Sequence, residues 1–327
     1  MTAAGGAPSP GGAVDRAAGL LGGLARRDVP LGPLTTYRVG GAAALFVEAR
    51  SVDDVAATAR AVAATGLPTL VVGKGSNLLV ADVGFAGVAL ALGPELAWVE
   101  VAEQGTPRRV TAGGAALLPV VARHTVRAGL TGFEWAVGVP GSIGGAVRMN
   151  AGGHGSDIAA TLVDARVVDL RTGSDERVPA VDLALGYRTS SIASWQVVVE
   201  ATVGLAEGDR AAGERTLSEI VAWRRAHQPG GQNAGSVFTN PPGDSAGRLI
   251  DAAGCKGLRV GTASVSTKHA NFFQADEGGS ADDIVALMGE VRRRVRDHSG
   301  VDLHPETRMV GFGNPRPQPP VEVEVKG

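Results

Sequence analysis

The pattern of apolar and polar residues predicts alternating strands and helices along most of the chain. Residues 42–49, AAALFVEA, place apolar side chains as a strand does, and residues 51–66 begin with a serine N-cap, run helically and stop at a glycine. A short buried strand and a glycine loop follow at 68–80, which gives a βαβ-like opening. Short strands are predicted between residues 87 and 115, and a helix at 117–129.

The second half of the chain repeats this mixture of element types. The clearest helix is 280–298, in which Ser280 is the predicted N-cap and Asp283 occupies the capping-box position. The other predicted elements are strands at 162–170, 195–205 and 301–312 and a helix that begins near residue 214. The pattern therefore predicts an α+β protein with an additional smaller unit at about 210–300.

Both ends of the chain lack this pattern. Residues 1–25 are rich in glycine, and residues 313–327 are rich in proline. Such composition is typical of disordered segments, so both are predicted to be disordered tails. The N-terminus has no early basic region and its apolar stretch is short, which argues against a signal peptide.

Composition narrows the class of protein. Apolar residues make up 44% and charged residues 20% of the 327 positions, as in ordinary globular proteins. The net charge of −2 gives no electrostatic reason to expect nucleic acid or an anionic membrane, and no apolar run is long enough for a bilayer span. The one cysteine, Cys255, cannot form an internal disulfide and predicts no metal cluster. We therefore expect a cytoplasmic protein that inserts into no membrane.

Glycine is the composition's strongest departure from the average, with 48 residues. Clusters of glycine mark places where the backbone turns tightly or approaches a ligand closely. The clusters lie at 73–75, 113–114, 138–145, 152–155, 230–235 and 254–261. This distribution suggests a large nucleotide-like ligand, with glycine-rich surface loops as the alternative.

Two of these clusters favour a phosphate ligand. The first, Gly73-Lys74-Gly75-Ser76-Asn77, follows a strand but fails the Walker A pattern, because Pro68 stands at the first glycine position and Gly75 follows the lysine. It also lacks the third glycine of a Rossmann fingerprint. The second, within residues 132–155, could present bare backbone to a ring system and a diphosphate. A dinucleotide explains two such loops better than two coincidental turns.

Other candidates for chemistry stay open on the residues alone. Arg188, in GYRTSS, is an ion-pair residue or a clamp for a carboxylate. Glu306, in HPETRMVGF, pairs with Arg308 or projects into a site. Lys268 and His269 begin the suggestive stretch KHANFF.

Ser236, in NAGSVFTNP, has no basic or acidic side chain near it in sequence. A hydrolase nucleophile elbow needs glycines where Ala234 and Phe238 stand, so the nucleophile interpretation fails. The serine remains a turn residue, a phosphate ligand or a proton donor.

Seven stretches together resemble the family of UDP-N-acetylenolpyruvoylglucosamine reductases, and they occur in the family's order over nearly all of residues 30–312. They are TTYRVGG, GKGSNLLV, GFEWAVGVPGSIGGAVRMNAG, GYRTSS, NAGSVFTNP, STKHANFF and HPETRMVGF. The resemblance implies an α+β fold with an FAD-binding region of the vanillyl-alcohol-oxidase (PCMH) type at 26–208, in subdomains of about 26–90 and 91–208. A substrate-binding domain at 209–300 and a closing strand at 301–312 that carries Glu306 complete the implied organisation.

The resemblance also implies a reaction. Enzymes of this family use NADPH to reduce FAD, and then reduce UDP-N-acetylglucosamine enolpyruvate to UDP-N-acetylmuramate for peptidoglycan synthesis. The motif positions imply Arg188, Ser236 and Glu306 as catalytic residues, with non-covalent FAD and no metal. Substrate-binding positions are Asn240, Lys268, His269 and Asn271. Cofactor-binding positions are Tyr37, Arg38, Gly73, Lys74, Gly75, Ser76, Asn77, Gly138, Pro140, Gly141, Ser142, Gly144, Gly145, Asn150 and Gly152.

Some features depart from the family pattern or stay open. Thr239 stands where many members have a lysine, and no counterpart of one subgroup's tyrosine-bearing loop is visible. Arg224, Arg225 and His227 compete for the role of the basic residue that meets the substrate and NADPH phosphates. The alternatives are an FAD-dependent oxidase of the same fold and a non-catalytic nucleotide-binding relative.

Overall fold

The computed structural model describes residues 10–313, and contacts divide the chain into two compact units. The first unit contains the chain up to Val29, Ala43–Lys74 and Ala86–Trp223. The second contains Pro30–Ala42, Gly75–Phe85 and the chain from Arg224. The contiguous domain boundaries expected from the sequence do not coincide with the limits of these units, and those boundaries stay predictions.

Helices and strands alternate through both units. The helices are α1 (Pro10–Leu21), α2 (Val52–Thr65), α3 (Leu118–Arg127), α4 (Ile143–Met149), α5 (Arg210–His227), α6 (Ala246–Ala252) and α7 (Ala281–Ser299). The strands of the first half are β1 (Ala25–Pro30), β2 (Ala42–Ala49), β3 (Thr69–Val72), β4 (Leu78–Val80), β5 (Phe85–Leu92), β6 (Val99–Val101), β7 (Arg108–Gly113) and β8 (Leu130–Thr131). Those of the second half are β9 (Gly152–Gly153), β10 (Ser156–Asp157), β11 (Leu162–Asp169), β12 (Asp175–Pro179), β13 (Gln196–Glu207), β14 (Arg259–Val260), β15 (Ala263–Val265), β16 (Phe273–Ala275) and β17 (Arg308–Val310).

Two sheets form the frame of the first unit. One has the strand order β1–β2–β5–β3, and the other has β12–β11–β13–β7–β6 with β8 paired to β13. Apolar residues of α2 pack with residues of both sheets, as the cluster of Val55, Leu90 and Val197 shows. Helices α3 and α4 bury Val121 and Val147 in the core of the second sheet. The glycine loops of this unit therefore begin and end at residues that these packed sheets and helices hold in place.

Local sequence explains the best-predicted helix of this unit. The Ser51 hydroxyl accepts the Asp54 N–H, while the Asp54 carboxylate accepts the Ser51 N–H at 3.1 Å, which is a complete capping box. The helix ends at Gly66 with φ of +67°, as the glycine stop predicts.

The prediction of a disordered N-terminal tail is wrong for residues 10–21. Helix α1 buries Ala13, Ala17 and Leu21 against Leu45 and Val62 of the first sheet and α2. The three residues are spaced four apart and form a single apolar stripe, which the surrounding glycines obscure in the sequence. Residues 1–9 lie outside the described range, as does the predicted C-terminal tail from residue 314.

The second unit has its own core. Helix α7 and the sheet β14–β15–β16 bury Met288, Val291 and Phe273 together with Tyr37 and Leu79 from earlier in the chain. Strand β17 pairs in parallel with β4, with Arg308 opposite Leu78. This pairing brings the segment before β17 alongside the segment before β4, and both contain predicted site residues.

Two local predictions in this unit need correction. Ser280 does cap α7, but the Asp283 carboxylate accepts the N–H and O–H of Thr262, at 2.7 Å each, and completes no capping box. The strand predicted at 301–312 covers only Arg308–Val310. The segment before it makes backbone hydrogen bonds to residues 237–239 through His304 and Glu306, and Pro305 has no N–H to donate.

Candidate active site

The first unit brings the two predicted phosphate loops together. Ser142 is the N-cap of α4, and its hydroxyl accepts the Gly145 N–H at 3.5 Å. A Cβ at Gly73 would lie 3.1 Å from that hydroxyl oxygen, so the first residue of the first loop lies against the start of α4. Gly73 and Gly145 are exposed while Ser142 is buried. Gly73 and the start of α4 therefore adjoin each other within the first unit.

Some glycines of this region are required by the protein's own backbone. A Cβ at Gly144 would lie 2.8 Å from the carbonyl oxygen of Val198, and the Gly144 N–H donates to Gly114 at 2.9 Å. Gly138 is buried. Close packing on β13 thus explains Gly144 without a ligand.

Arg188 lies in a tight turn beside the glycine-rich stretch after α4. Gly186 and Thr189 are paired across the turn, which places Arg188 at a φ of +57° in the left-handed region. Its Nη2 donates to the Gly152 carbonyl at 3.2 Å. The Ser190 hydroxyl donates to the Arg148 carbonyl at 2.6 Å. The turn is therefore fixed to residues 148–152, and the half-buried guanidinium of Arg188 lies next to Gly152.

The prediction that Asn150 binds the cofactor is not supported by its contacts. Its side chain is 3% exposed, and Nδ2 donates to Asp157 Oδ2 at 3.1 Å and to the Gly186 carbonyl at 2.9 Å. The Oδ1 atom accepts the Ala159 N–H at 2.9 Å. Both amide hydrogens are used within the protein, so Asn150 is corrected to a structural residue.

In the second unit, residues 35–38 contact the loop that precedes β4. The Thr36 N–H donates to the Gly75 carbonyl at 3.1 Å, and a Cβ at Gly75, where φ is +63°, would overlap the Leu34 carbonyl oxygen. The backbone N–H groups of Ser76 and Asn77 have no acceptor within the described residues. These N–H groups are suited to an anionic ligand.

Tyr37 does not fit the predicted role in cofactor binding. Its side chain is 0% exposed and belongs to the core of the second unit, so no ligand can touch it. Burial raises the pKa of its hydroxyl well above the usual value. Arg38, next to it, is exposed and has a φ of +57°. Of these two residues, Arg38 alone is placed to reach a ligand.

Ser236 and Glu306, two of the predicted catalytic residues, are joined through one backbone group. The Glu306 N–H donates to the carbonyl of Val237, the residue after Ser236, at 2.7 Å. Ser236 is bridged to Phe272, and the Asn77 amide donates to the Glu306 carbonyl at 3.1 Å. Ser236, Glu306 and Asn77 are all partly exposed. The second unit therefore brings together a hydroxyl, a carboxyl group and a predicted cofactor residue.

Asn271 holds this arrangement in place, and its prediction as a substrate-binding residue is corrected. It is 2% exposed, its Oδ1 accepts the Phe238 N–H at 3.0 Å, and its Nδ2 donates to the Phe238 carbonyl at 2.8 Å. Its backbone carbonyl also accepts the Val237 N–H at 2.9 Å. Sequence motifs identified the residue, but could not show that its amide faces the protein.

Replacing Asn271 by alanine is expected to lower the free energy of unfolding by about 2–3 kcal/mol, because it leaves the buried N–H and C=O of Phe238 without partners. Urea denaturation measures this loss. Asn233→Ala is the matched control, since the half-buried Asn233 side chain makes only local contacts with Gly230, Gly231 and Gly235 of its own loop, and should cost about 1 kcal/mol. Equal losses for the two variants would contradict the clamping role of Asn271.

The remaining predicted substrate-binding residues lie in the same unit. Lys268 Nζ donates to the Arg225 carbonyl at 2.6 Å, and Asn240 Oδ1 accepts the N–H of Ala246 at the start of α6. His269 packs against Phe272, and burial lowers its pKa, which favours the neutral ring. Substrate binding by Lys268, His269 and Asn240 stays a prediction.

The structure does not choose among the three basic residues at the end of α5. Arg224 is partly buried, which lowers its pKa, while Arg225 and His227 are exposed. The threonine at position 239, where many members have a lysine, makes local contacts. Its N–H and its hydroxyl both donate to the His304 carbonyl, at 3.0 and 3.3 Å.

Two features are absent from residues 10–313. Within this range, no group of three or more histidine, cysteine or acidic side chains is arranged to hold a metal ion. No helix in the same range has the length and apolar character needed to cross a membrane.

Comparison with known proteins decides the family. Residues 43–178 match the model of the FAD binding domain, and residues 227–310 match that of the C-terminal domain of UDP-N-acetylenolpyruvoylglucosamine reductase. A relative of the latter name from Acidiphilium cryptum is 44% identical over 87% of this chain and 91% of its own length. The chain belongs to the UDP-N-acetylenolpyruvoylglucosamine reductase family. A second relative, from Heliobacterium modesticaldum, is 43% identical over 86% of this chain and 89% of its own length.

A solved structure agrees with this family. The UDP-N-acetylenolpyruvylglucosamine reductase of Thermus caldophilus matches with a TM-score of 0.75 and 33% identity, covering 88% of this chain and 99% of the other. The predicted family, the α+β fold with an FAD-binding region, and the class of flavin-dependent oxidoreductase are thereby confirmed. So is the prediction of FAD as cofactor with NADPH as hydride donor.

The described residues fit an FAD diphosphate. Gly73 and Gly145 leave backbone exposed on the first unit, where Lys74 adds a positive charge. Ser76 and Asn77 supply backbone N–H groups on the second. Backbone N–H groups and a lysine are donors that a diphosphate accepts from, so the residues of each unit, taken by themselves, suit the cofactor of this reductase family.

Proposed function

We propose that this chain reduces the enolpyruvyl group of UDP-N-acetylglucosamine enolpyruvate with NADPH, giving UDP-N-acetylmuramate for peptidoglycan synthesis. Membership in the reductase family supports this activity. The observation that carries the proposal is the hydrogen bond from the Glu306 N–H to the Val237 carbonyl, because it brings the backbone of Glu306 next to the segment that carries Ser236 within the second unit. Neither an oxidase nor a non-catalytic relative needs that arrangement.

FAD, when bound, supplies hydride transfer from NADPH to the substrate. The residues that would hold it are the glycine-loop residues together with exposed neighbours. They are Arg38, Gly73, Lys74, Gly75, Ser76, Asn77, Pro140, Gly141, Ser142, Gly144, Gly145 and Gly152.

Ser236 is the proposed proton donor. Hydride addition to the enolpyruvyl methylene leaves negative charge on the adjacent carbon and its carboxylate, and that carbon is a strong base. A serine hydroxyl can protonate such a carbon without activation, provided that it is held within hydrogen-bonding reach. The hydrogen bonds of the Val237 and Phe238 backbone, which hold the segment that carries Ser236, support this role.

Arg188 and Glu306 are proposed to hold the substrate carboxylate as its charge increases. A guanidinium fixed in a tight turn stabilises developing charge with little reorganisation. Glu306, in its protonated form or through a hydrogen bond, would bind the enolic carboxylate. Asn240, Lys268 and His269 are the proposed substrate contacts, with Arg224, Arg225 or His227 at the phosphates.

We further propose that residues 26–208 form the FAD-binding region and residues 209–300 the substrate-binding domain, which agrees with family models matching 43–178 and 227–310. The enzyme is proposed to act in the cytoplasm. A single cysteine and a nucleotide-linked substrate support this location.

An anaerobic experiment tests the activity. The bound FAD is first reduced with NADPH, UDP-N-acetylglucosamine enolpyruvate is then added, and reoxidation is followed by the return of flavin absorbance. We expect reoxidation with one equivalent of UDP-N-acetylmuramate formed. If the substrate leaves the flavin reduced and oxygen, admitted afterwards, reoxidises it, an oxidase is favoured and the proposal is overturned.

A further inference from the structure

Asn150 connects three segments of the first unit through a single side chain. It ends α4 in the left-handed conformation, with a φ of +38°, and its amide contacts Asp157, Ala159 and Gly186. The contact with the Gly186 carbonyl, at 2.9 Å, reaches the turn that carries Arg188.

The contacts that attach the Arg188 turn to its surroundings include three with residues 148–152. Ser190 donates to the Arg148 carbonyl, Asn150 donates to the Gly186 carbonyl, and Arg188 itself donates to the Gly152 carbonyl. Asn150 lies in the middle of residues 148–152, and its amide holds Gly186, the first residue of the turn. Its position therefore sets where the guanidinium of Arg188 lies.

We propose that Asn150 is a positioning residue, which acts on the substrate through the Arg188 turn and does not contact the cofactor. This inference rests on the role of Arg188 given under Proposed function. A small shift of a group that stabilises transition-state charge has a large effect on rate. Loss of the hydrogen bond to Gly186 is therefore expected to lower the rate by more than its contribution to the free energy of unfolding would suggest.

The chemistry of the site explains why an asparagine stands there. Glycine, asparagine and aspartate enter the left-handed region more readily than other residues. Glycine has no side chain to reach Gly186, and an ionised aspartate has no hydrogen to donate. Since the site demands two donors and one acceptor, asparagine satisfies the backbone and the contacts together.

The test compares Asn150→Asp, Asn150→Gly and a control, Asp157→Asn, in the FAD-loaded enzyme. Asn150→Asp places a carboxylate against the Gly186 carbonyl and against Asp157, while Asn150→Gly only removes the amide. Each should slow reduction of the enolpyruvyl substrate about 10- to 100-fold, as second-sphere residues typically do. FAD reduction by NADPH and the affinity of the apoprotein for FAD, measured by fluorescence quenching, should change less than about twofold, because the Asn150 side chain is buried and hydrogen-bonded within the protein.

The control separates positioning from stability. Asp157→Asn disturbs the contact of Asp157 with Asn150 but leaves the contact of Asn150 with Gly186, so both half-reactions should stay near the parent rates even if the melting temperature falls. Weaker FAD binding in Asn150→Gly, with an unchanged substrate step, would overturn the proposal in favour of a cofactor contact. Equal slowing of both half-reactions, or of neither, would also overturn it.

An Arg188→Gln variant distinguishes this failure from failure of the proposed function. If that variant reduces the enolpyruvyl substrate at the parent rate, the role of Arg188 is wrong and the positioning role falls with it. If Arg188→Gln is slow while both Asn150 variants are normal, the role of Arg188 stands and only the inference about Asn150 fails.

Discussion

Ser236→Ala is expected to leave the reduction of bound FAD by NADPH unchanged and to slow reduction of the enolpyruvyl substrate by at least about 10³-fold, within the range for loss of a general acid. The physical reason is that the hydroxyl is needed only when the substrate carbon has become basic. Stopped-flow absorbance of the flavin measures the two half-reactions separately. The fold should persist, because the bridge of Ser236 to Phe272 is a backbone contact and the Val237 and Phe238 side chains remain in the core.

Thr239→Val is the matched control for that experiment. It removes a hydroxyl three residues away, whose contact is the His304 carbonyl, and should affect neither half-reaction. If Ser236→Ala slowed both half-reactions equally, its effect would be on binding or structure, and the proton-donor role would be wrong.

Arg188→Gly is expected to slow the substrate half-reaction by about 10²- to 10³-fold, since a fixed charge next to a developing oxyanion is typically worth that much. FAD reduction by NADPH should stay near the parent rate. The comparison with Arg188→Ala is informative, because both variants lose the guanidinium and its contact with Gly152 while only glycine relaxes at a φ of +57°.

The two Arg188 variants should therefore be equally slow but differ in stability. Arg188→Gly is expected to be more stable than Arg188→Ala by about 0.5–1 kcal/mol, because alanine is strained in the left-handed region. Urea denaturation measures the difference. Full substrate turnover in either variant would contradict the role of Arg188, and equal stability would contradict the strained turn.

Sequence predicted the elements whose signals are local. Helix α2 and the start of α7 follow from Ser51 and Ser280, and the two glycine loops near Gly73 and Ser142 do lie together. Helix α1 was missed because its apolar stripe needs a partner surface that only the folded chain supplies. The formation of α1 therefore depends on contacts with the rest of the chain, which the composition of residues 10–21 does not reveal.

The candidate site was less predictable than the fold, and Tyr37, Asn150 and Asn271 show why. A motif shows that a polar residue belongs to a site, but does not show whether its polar atoms face a ligand or the protein. All three side chains are buried, and the side-chain amides of the two asparagines form hydrogen bonds with backbone groups of the protein. Their contribution is to hold Arg188 and Ser236, which the spacing of residues in sequence cannot reveal.

The division of the second unit among distant parts of the chain has a consequence for biosynthesis. Its core combines Tyr37, Val39 and Leu79 with residues of α7. At about 5–20 residues per second, a ribosome needs roughly 10–40 s to make the stretch between Leu79 and α7. Throughout that interval these apolar side chains lack their final partners. The nascent chain is therefore expected to engage chaperones through residues 30–42 and 75–85.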